Sequence, residues 1–235
     1  MINFAIIITT YKRNDGNTPF YVKRALKSVL EQEYKNYKVY VIGDYYSDNE
    51  EFISLFEDFP KDKIYYENLP FAYERDKYQD KSLVWKYGGC FANNYAINKS
   101  LIDGFEYICR LDHDDEWLPN HLSVLNDAII KTNSWWLCTK SIYGTNSILP
   151  NIQSPEQLIG FYPKPESLIH SSTCINFKKI QIRHRNYYEE TGNTGLPGDA
   201  DTWGRMSEYL KRHNQIGCLV NIITCKHIDE GYEKR

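Results

Sequence analysis

The chain has 235 residues, 42% of them hydrophobic, which is enough to bury one sizeable core. Its formal charge of -3 at pH 7 gives no sign of the strongly basic face usual in nucleic-acid binders, and no nucleic acid is expected as a partner. It contains no run of about eighteen apolar residues, so no membrane span is expected.

Phe4-Ala5-Ile6-Ile7-Ile8 is a continuous apolar run rich in β-branched residues. It suits a strand buried on both faces, as in a parallel sheet. No charged region precedes it, so it is not expected to be a signal peptide. Val22, Ala25, Leu26, Val29 and Leu30 recur at helical spacing. Lys38-Val39-Tyr40-Val41-Ile42 reads as the next strand, Asn49 to Phe56 as a short helix, and Lys63 to Tyr66 as a third strand. Phe91, Ala92, Tyr95 and Ala96 mark a helix, and Tyr107 to Leu111 a fourth strand. A helix carrying Leu122, Leu125 and Ile129 is expected after Pro119. Strands follow at Trp135 to Lys140 and Ser172 to Phe177, with a last helix from Thr202 to Arg212. Residues 144–170 hold four prolines and are expected as a long loop; residues 186–198 hold three glycines and are expected as a mobile one.

Strands alternating with helices predict an open α/β sheet with right-handed crossovers. Such sheets bind ligands at the carboxyl ends of their strands. Three polar segments directly follow predicted strands: Thr9 to Arg13, Gly43 to Asp48, and Asp112 to Glu116.

Asp112-His113-Asp114-Asp115 carries the most chemistry. In extended backbone, residues i and i+2 project the same way, so Asp112 and Asp114 would point together. Neighbouring carboxylates repel unless a cation lies between them. A hard divalent ion, Mn²⁺ or Mg²⁺, takes such oxygen ligands and keeps positions open for phosphate. The competing explanation is an acidic turn capping the helix near Pro119. Asp44 is either an Asx-turn residue or a carboxylate accepting a hydrogen bond from a base or ribose. In Pro197-Gly198-Asp199-Ala200-Asp201, one carboxylate could cap a helix while the other serves as general base. His227 is either structural or a third metal ligand. The six cysteines (Cys90, Cys109, Cys138, Cys174, Cys218 and Cys225) form no Cys-x-x-Cys pair. They read as thiols in a reducing compartment, which makes a cytoplasmic location the expectation.

Taken together, several segments resemble family 2 of the inverting glycosyltransferases, which have the GT-A fold. Ile7-Ile8-Thr9-Thr10-Tyr11-Lys12-Arg13 is similar to the family's opening strand and loop, and Arg24 to Gln32 followed by Tyr34 to its first helix. Val41 to Asn49 resembles the Val-Asp-Asp-Gly-Ser-x-Asp loop, and Leu111-Asp112-His113-Asp114-Asp115 the Leu-Asp-x-Asp-Asp signature. Gly198-Asp199-Ala200-Asp201-Thr202-Trp203-Gly204-Arg205 resembles the Glu-Asp motif with its helix and arginine. Three departures from the pattern stand out. Gly43 and Tyr45 replace an aspartate and a glycine, Asn93 stands where arginine is frequent, and Gly198 replaces the glutamate before the catalytic aspartate.

The resemblance implies an α/β fold of GT-A type: a Rossmann-like, mostly parallel sheet flanked by helices, with a smaller acceptor-side β/helix region. It implies a single domain over residues 1–235, with a nucleotide-sugar half at 1–116 and an acceptor half at 117–235. Thr9 and Tyr11 would hold the base, with Asp44 hydrogen-bonding to it. Arg13 and Asn94 would lie near the nucleotide, and Asp112 would contact ribose or metal. Asp114 would bind the Mn²⁺ or Mg²⁺ that bridges the diphosphate, and His227 would face that metal or the diphosphate. Asp199 would be the catalytic base, with Asp201 as the alternative. The implied partners are a nucleotide-sugar donor, by family habit a UDP-sugar, and a saccharide or other hydroxyl acceptor, which could be a lipid-linked glycan met at a membrane face. Two rivals remain. One is a sugar nucleotidyltransferase, although Thr10 to Gly16 is a poor match to its Gly-rich loop. The other is a non-catalytic sugar- or nucleotide-binding protein on the same fold.

Overall fold

The computed structural model describes residues 1–145, 147–165, 167–186 and 196–228. Strands β1 (Phe4–Thr10), β2 (Tyr37–Gly43), β3 (Ile64–Asn68) and β4 (Tyr107–Arg110) lie where the apolar runs predict them. They pair in parallel in the order β3-β2-β1-β4. Helices α1 (Thr18–Leu30) and α2 (Asn49–Ser54) follow β1 and β2. Between β3 and β4 lie two short helices the sequence reading did not anticipate, α3 (Tyr73–Lys77) and α4 (Lys81–Tyr87), and then α5 (Cys90–Ile102).

Past β4 the sheet changes character. A two-residue strand β5 (Glu116–Trp117) leads into α6 (His121–Thr132) and β6 (Trp136–Tyr143). Residues 144–170, expected as a loop, instead contain β7 (Ser147–Leu149) and β8 (Leu158–Phe161). Both are short and half-exposed, and each adds antiparallel to a longer strand, so their extended state comes from the neighbour and not from their own pattern. A 3₁₀ turn at His170–Ser172 precedes β9 (Thr173–Asn176), which runs antiparallel to both β4 and β6 and joins the two halves of the sheet. Helix α7 (Gly198–Arg212) begins four residues before the predicted start, and β10 (Gly217–His227), also unanticipated, closes the described chain. The expected mobile loop at 186–198 falls mostly on residues 187–195, outside the described residues. Among the described residues no helix is long and apolar enough to cross a membrane.

Alternation along the strands feeds two cores. Phe4, Ile6 and Ile8 of β1 pack with Val22, Ala25, Leu26 and Val29 of α1 and with Leu122, Leu125 and Ile129 of α6. Ala5 and Ile7 pack on the other face with Ala92, Ala96 and Ile97 of α5 and with Trp203, Met206 and Leu210 of α7. Both faces are covered, which is why these strands read as unbroken apolar runs.

Candidate functional site

The order β2-β1-β4 sets three strand ends side by side. The Asp44 N–H donates to Thr10 O at 2.7 Å and the Leu111 N–H to Ile7 O at 3.0 Å, fixing how the loops leave the sheet. Thr9, Tyr11 and Arg13, then Asp44, then Asp112 and Asp114, all line one cavity of about 480 Å³. That volume lies within the range of small-molecule sites. Asp199, from the first turn of α7, lines it as well.

At one end an arginine organises the site. Arg75 of α3 places its guanidinium 3.6 Å from the centroid of the Tyr11 ring and donates from Nε to Asp44 Oδ2 at 2.8 Å. Asp44 is almost fully buried; burial raises its pKa and Arg75 opposes that rise. Its neighbour Glu74, fully buried, accepts from the Phe91 N–H at 2.7 Å. Burial, reinforced by the charge of Asp44, pushes Glu74 up to about 8. This end therefore offers an aromatic face, a cation and a buried carboxyl group, the chemistry that recognises a planar heterocycle.

The acidic segment is a turn and not extended backbone, closed by the Asp115 N–H donating to Asp112 O at 3.0 Å. Both carboxylates nonetheless line the cavity. Asp114 pairs with Arg13 Nη2 at 3.2 Å, while Arg24 donates to the Asp114 carbonyl at 2.6 Å. The Asp112 side chain keeps 42% of its surface open. Desolvation by the surrounding floor works against its charge, but the histidines around it, His170 first and then His227 and His113, hold the carboxyl at about 2. These two hard-oxygen donors fit a divalent cation in type. Among the described residues no group of three or more His, Cys, Asp and Glu side chains forms a metal cluster.

His227 stands outside the cavity lining. Its Nδ1 bonds Asp115 Oδ1 at 2.9 Å, and its ring stacks on Tyr143 with centroids 5.0 Å apart. Burial lowers its pKa, but Asp115 outweighs burial and lifts it to about 9. Asp115 is fully buried, so loss of the imidazole removes its cationic partner and leaves only the Ser171 hydroxyl and the Ile228 N–H donating to it. His227→Ala is expected to cost about 3 kcal/mol in chemical denaturation, with Mn²⁺ affinity unchanged. Unchanged stability with weakened Mn²⁺ binding would assign the imidazole to the cation instead.

Helix α7 meets the junction of α4 and α5 at close range. A Cβ on Gly198 would lie 2.7 Å from Cys90 Sγ and 3.3 Å from Lys86 O. This packing explains the absence of a glutamate at position 198. Gly198→Ala is expected to destabilise by about 2 kcal/mol through overpacking, and Cys90→Ala in the same chain to restore most of it. Equal melting of Gly198→Ala and the parent would show that the junction has slack. The two candidate bases separate clearly. Asp201 is buried and paired with Arg205 Nε at 2.8 Å and Arg185 Nη1 at 3.4 Å. Asp199 lies on the cavity, its carboxylate held by the Ala200 N–H at 2.7 Å.

Seven of the nine side chains singled out from sequence meet in the cavity: Thr9, Tyr11, Arg13, Asp44, Asp112, Asp114 and Asp199. Asn94 does not. Its amide is spent on the backbone of His184, at 2.8 and 3.0 Å, and Asn93 one position earlier lines the cavity instead. Trp136 and Trp203 are buried in the core and offer no face to a sugar. Sequence reasoning missed Arg75, Trp85, His170 and His184 on the lining. The first two sit on α3 and α4, too short to show helical periodicity; the histidines are isolated in the sequence.

The model for glycosyl transferase family 2 matches residues 5–192. An uncharacterized glycosyltransferase of Acanthamoeba polyphaga mimivirus is 33% identical over 238 residues, covering 98% of this chain and 95% of that protein. Among solved structures, S. aureus TarS 1-349 in complex with UDP-GlcNAc aligns with a TM-score of 0.67 at 15% identity, over 99% of this chain and 60% of that one. The mannosyltransferase PcManGT from Pyrobaculum calidifontis, in complex with GDP-Man and Mn²⁺, aligns with a TM-score of 0.59 at 12% identity, over 98% of this chain and 58% of that one. The chain thus spans about three fifths of these solved chains, and the likeness to them shows the GT-A fold.

Proposed function

The chain belongs to glycosyl transferase family 2, and on that premise we propose that it moves a sugar from a UDP-sugar to an acceptor hydroxyl with inversion at the anomeric carbon. One observation carries this reading: acidic side chains from separate strand ends and the Asp199 carboxylate line a single cavity.

In this reading the base lies against Tyr11 and Thr9, with Asp44 and Arg75 hydrogen-bonding its edge. Asp112 faces the ribose or the cation, and Arg13 lies beside the diphosphate. Asp114, with Asp112, would hold Mn²⁺ or Mg²⁺, which when bound neutralises charge on the departing diphosphate. Asp199 accepts the acceptor hydroxyl proton as the oxygen attacks the anomeric carbon and the bond to the diphosphate breaks. Attack from the face opposite the leaving group inverts the configuration. General-base help is worth roughly 10²–10⁴-fold, and holding donor and acceptor in line supplies much of the remainder.

Residues 1–116 would form the donor half of one transferase domain and residues 117–235 the acceptor half. A saccharide, lipid-linked or free, would be the acceptor that meets Asp199. The UDP choice is supported by the TarS complex and the cation by the mannosyltransferase complex. The six cysteines are all free and buried, which supports a reducing, cytoplasmic setting. A panel of nucleotide-sugars with Mn²⁺, read by released nucleoside diphosphate and by the anomeric signal of the product, tests the proposal. Release from a UDP-sugar with an inverted product is expected; no release from any donor and acceptor pair would defeat it.

A further inference from the structure

Arg110 ends β4 two residues before Asp112, and it is 1% exposed in an otherwise apolar strand. Its Nη1 meets His170 Nε2, and also His184 Nε2 at 2.5 Å. A guanidinium can only donate, so both Nε2 atoms are acceptors. Both imidazoles are therefore neutral, with the proton on Nδ1. For His184 that state agrees with burial and the adjacent Arg110 charge, which push its pKa far down.

The two Nδ1–H groups point opposite ways. That of His170 faces Asp112 Oδ1 at 3.6 Å. That of His184 reaches Thr202 Oγ1 at 3.2 Å, leaving the Thr202 hydroxyl to donate to Gly198 O at 2.6 Å. Gly198 is the residue before Asp199. Asn94 completes the arrangement by gripping the His184 backbone from both sides. One buried cation thus fixes the proton positions of two histidines. One histidine steadies the donor carboxylate and the other steadies the first turn of α7.

We propose that Arg110 is a positioning residue that sets, through His170 and His184, the relative placement of Asp112 and Asp199. The proposal rests on the assignment of Asp112 to the donor and Asp199 to the acceptor proton. A role in stability alone is a poor account of Arg110. Its Nε and Nη2 have no hydrogen-bond partner among the described residues, so its burial is incompletely compensated. Apolar replacement of such a group is often neutral or stabilising.

The test combines [¹⁵N]histidine NMR with kinetics on the full chain, the two histidine signals being assigned from His170→Gln and His184→Gln. Both are expected as Nδ1–H tautomers, and Arg110→Met is expected to release both while leaving the melting temperature equal or higher. In that variant kcat should fall about 10²-fold, the size of effect that a displacement of about 1 Å brings. Thr202→Val cuts only the α7 arm, so kcat should fall with donor KM unchanged. If Arg110→Met does not fold, Arg110→Gln is measured in its place. Unchanged tautomers in the variant would overturn the proposal, as would released tautomers with kcat within about twofold of the parent. Should the parent transfer no sugar at all, the functional reading falls separately. The tautomers, with UDP affinity in Mn²⁺ measured by calorimetry, then still decide the proposal: it requires release of both signals and weaker UDP binding in Arg110→Met.

Discussion

Asp199→Asn is expected to lower kcat by about 10³-fold while UDP affinity in Mn²⁺ stays within about twofold. The amide matches the carboxylate in shape and can still accept from the Ala200 N–H, so the first turn of α7 should hold its form. It cannot accept a proton from an alcohol at neutral pH. Asp201→Asn is the matching control. Asp201 is spent on Arg205 and Arg185, away from the cavity lining, so its substitution should lower the melting temperature and leave chemistry largely intact. A turnover profile with the two variants exchanged would move the base to Asp201.

Asp114→Ala is expected to weaken Mn²⁺-dependent UDP binding by more than about 10²-fold, since loss of even an outer partner of a metal ligand costs about 10–100-fold. The substitution also removes the carboxylate that pairs with Arg13 Nη2, so one negative charge fewer faces the diphosphate. Metal-free UDP binding should therefore not weaken, and the loss should appear only when Mn²⁺ is added. Calorimetric titrations with Mn²⁺ and with a chelator separate these cases. A variant that keeps Mn²⁺-enhanced binding would show that Asp114 serves Arg13 and not a cation.

The N-terminal half was legible because its strands are buried on both faces and are followed by polar loops. Runs such as Phe4 to Ile8 and Val39 to Ile42 can hardly be anything else. The rest was hidden for identifiable reasons. β10 carries the β-branched stretch Val220 to Thr224, a signal that was there to be read. β7 and β8 exist only through their pairing partners, and four prolines nearby argued for a loop. Arg75 is one cation in a polar stretch, and only the folded chain brings it to Tyr11 and Asp44.

The three departures from the family pattern look different once packed. Gly43 has no room for a side chain because Asn68 fills the space, holding the Tyr46 backbone on both sides. Tyr45 occupies the left-handed region, φ 54°, where a glycine is the natural resident. Gly198 is confined by Cys90 and Lys86. Local packing accounts for Gly43 and Gly198, and Asn93 still lines the cavity, so none of the three closes the site.

The claim beneath all of this is that one cavity takes the nucleotide at Tyr11 and the diphosphate at Asp114, with Asp199 across from them. Crystals grown with UDP and Mn²⁺ address it directly. The account predicts uracil density beside Tyr11, Asp44 and Arg75, and an anomalous manganese peak between the β-phosphate and Asp114. Nucleotide bound elsewhere, or a manganese peak remote from both Asp112 and Asp114, would contradict it.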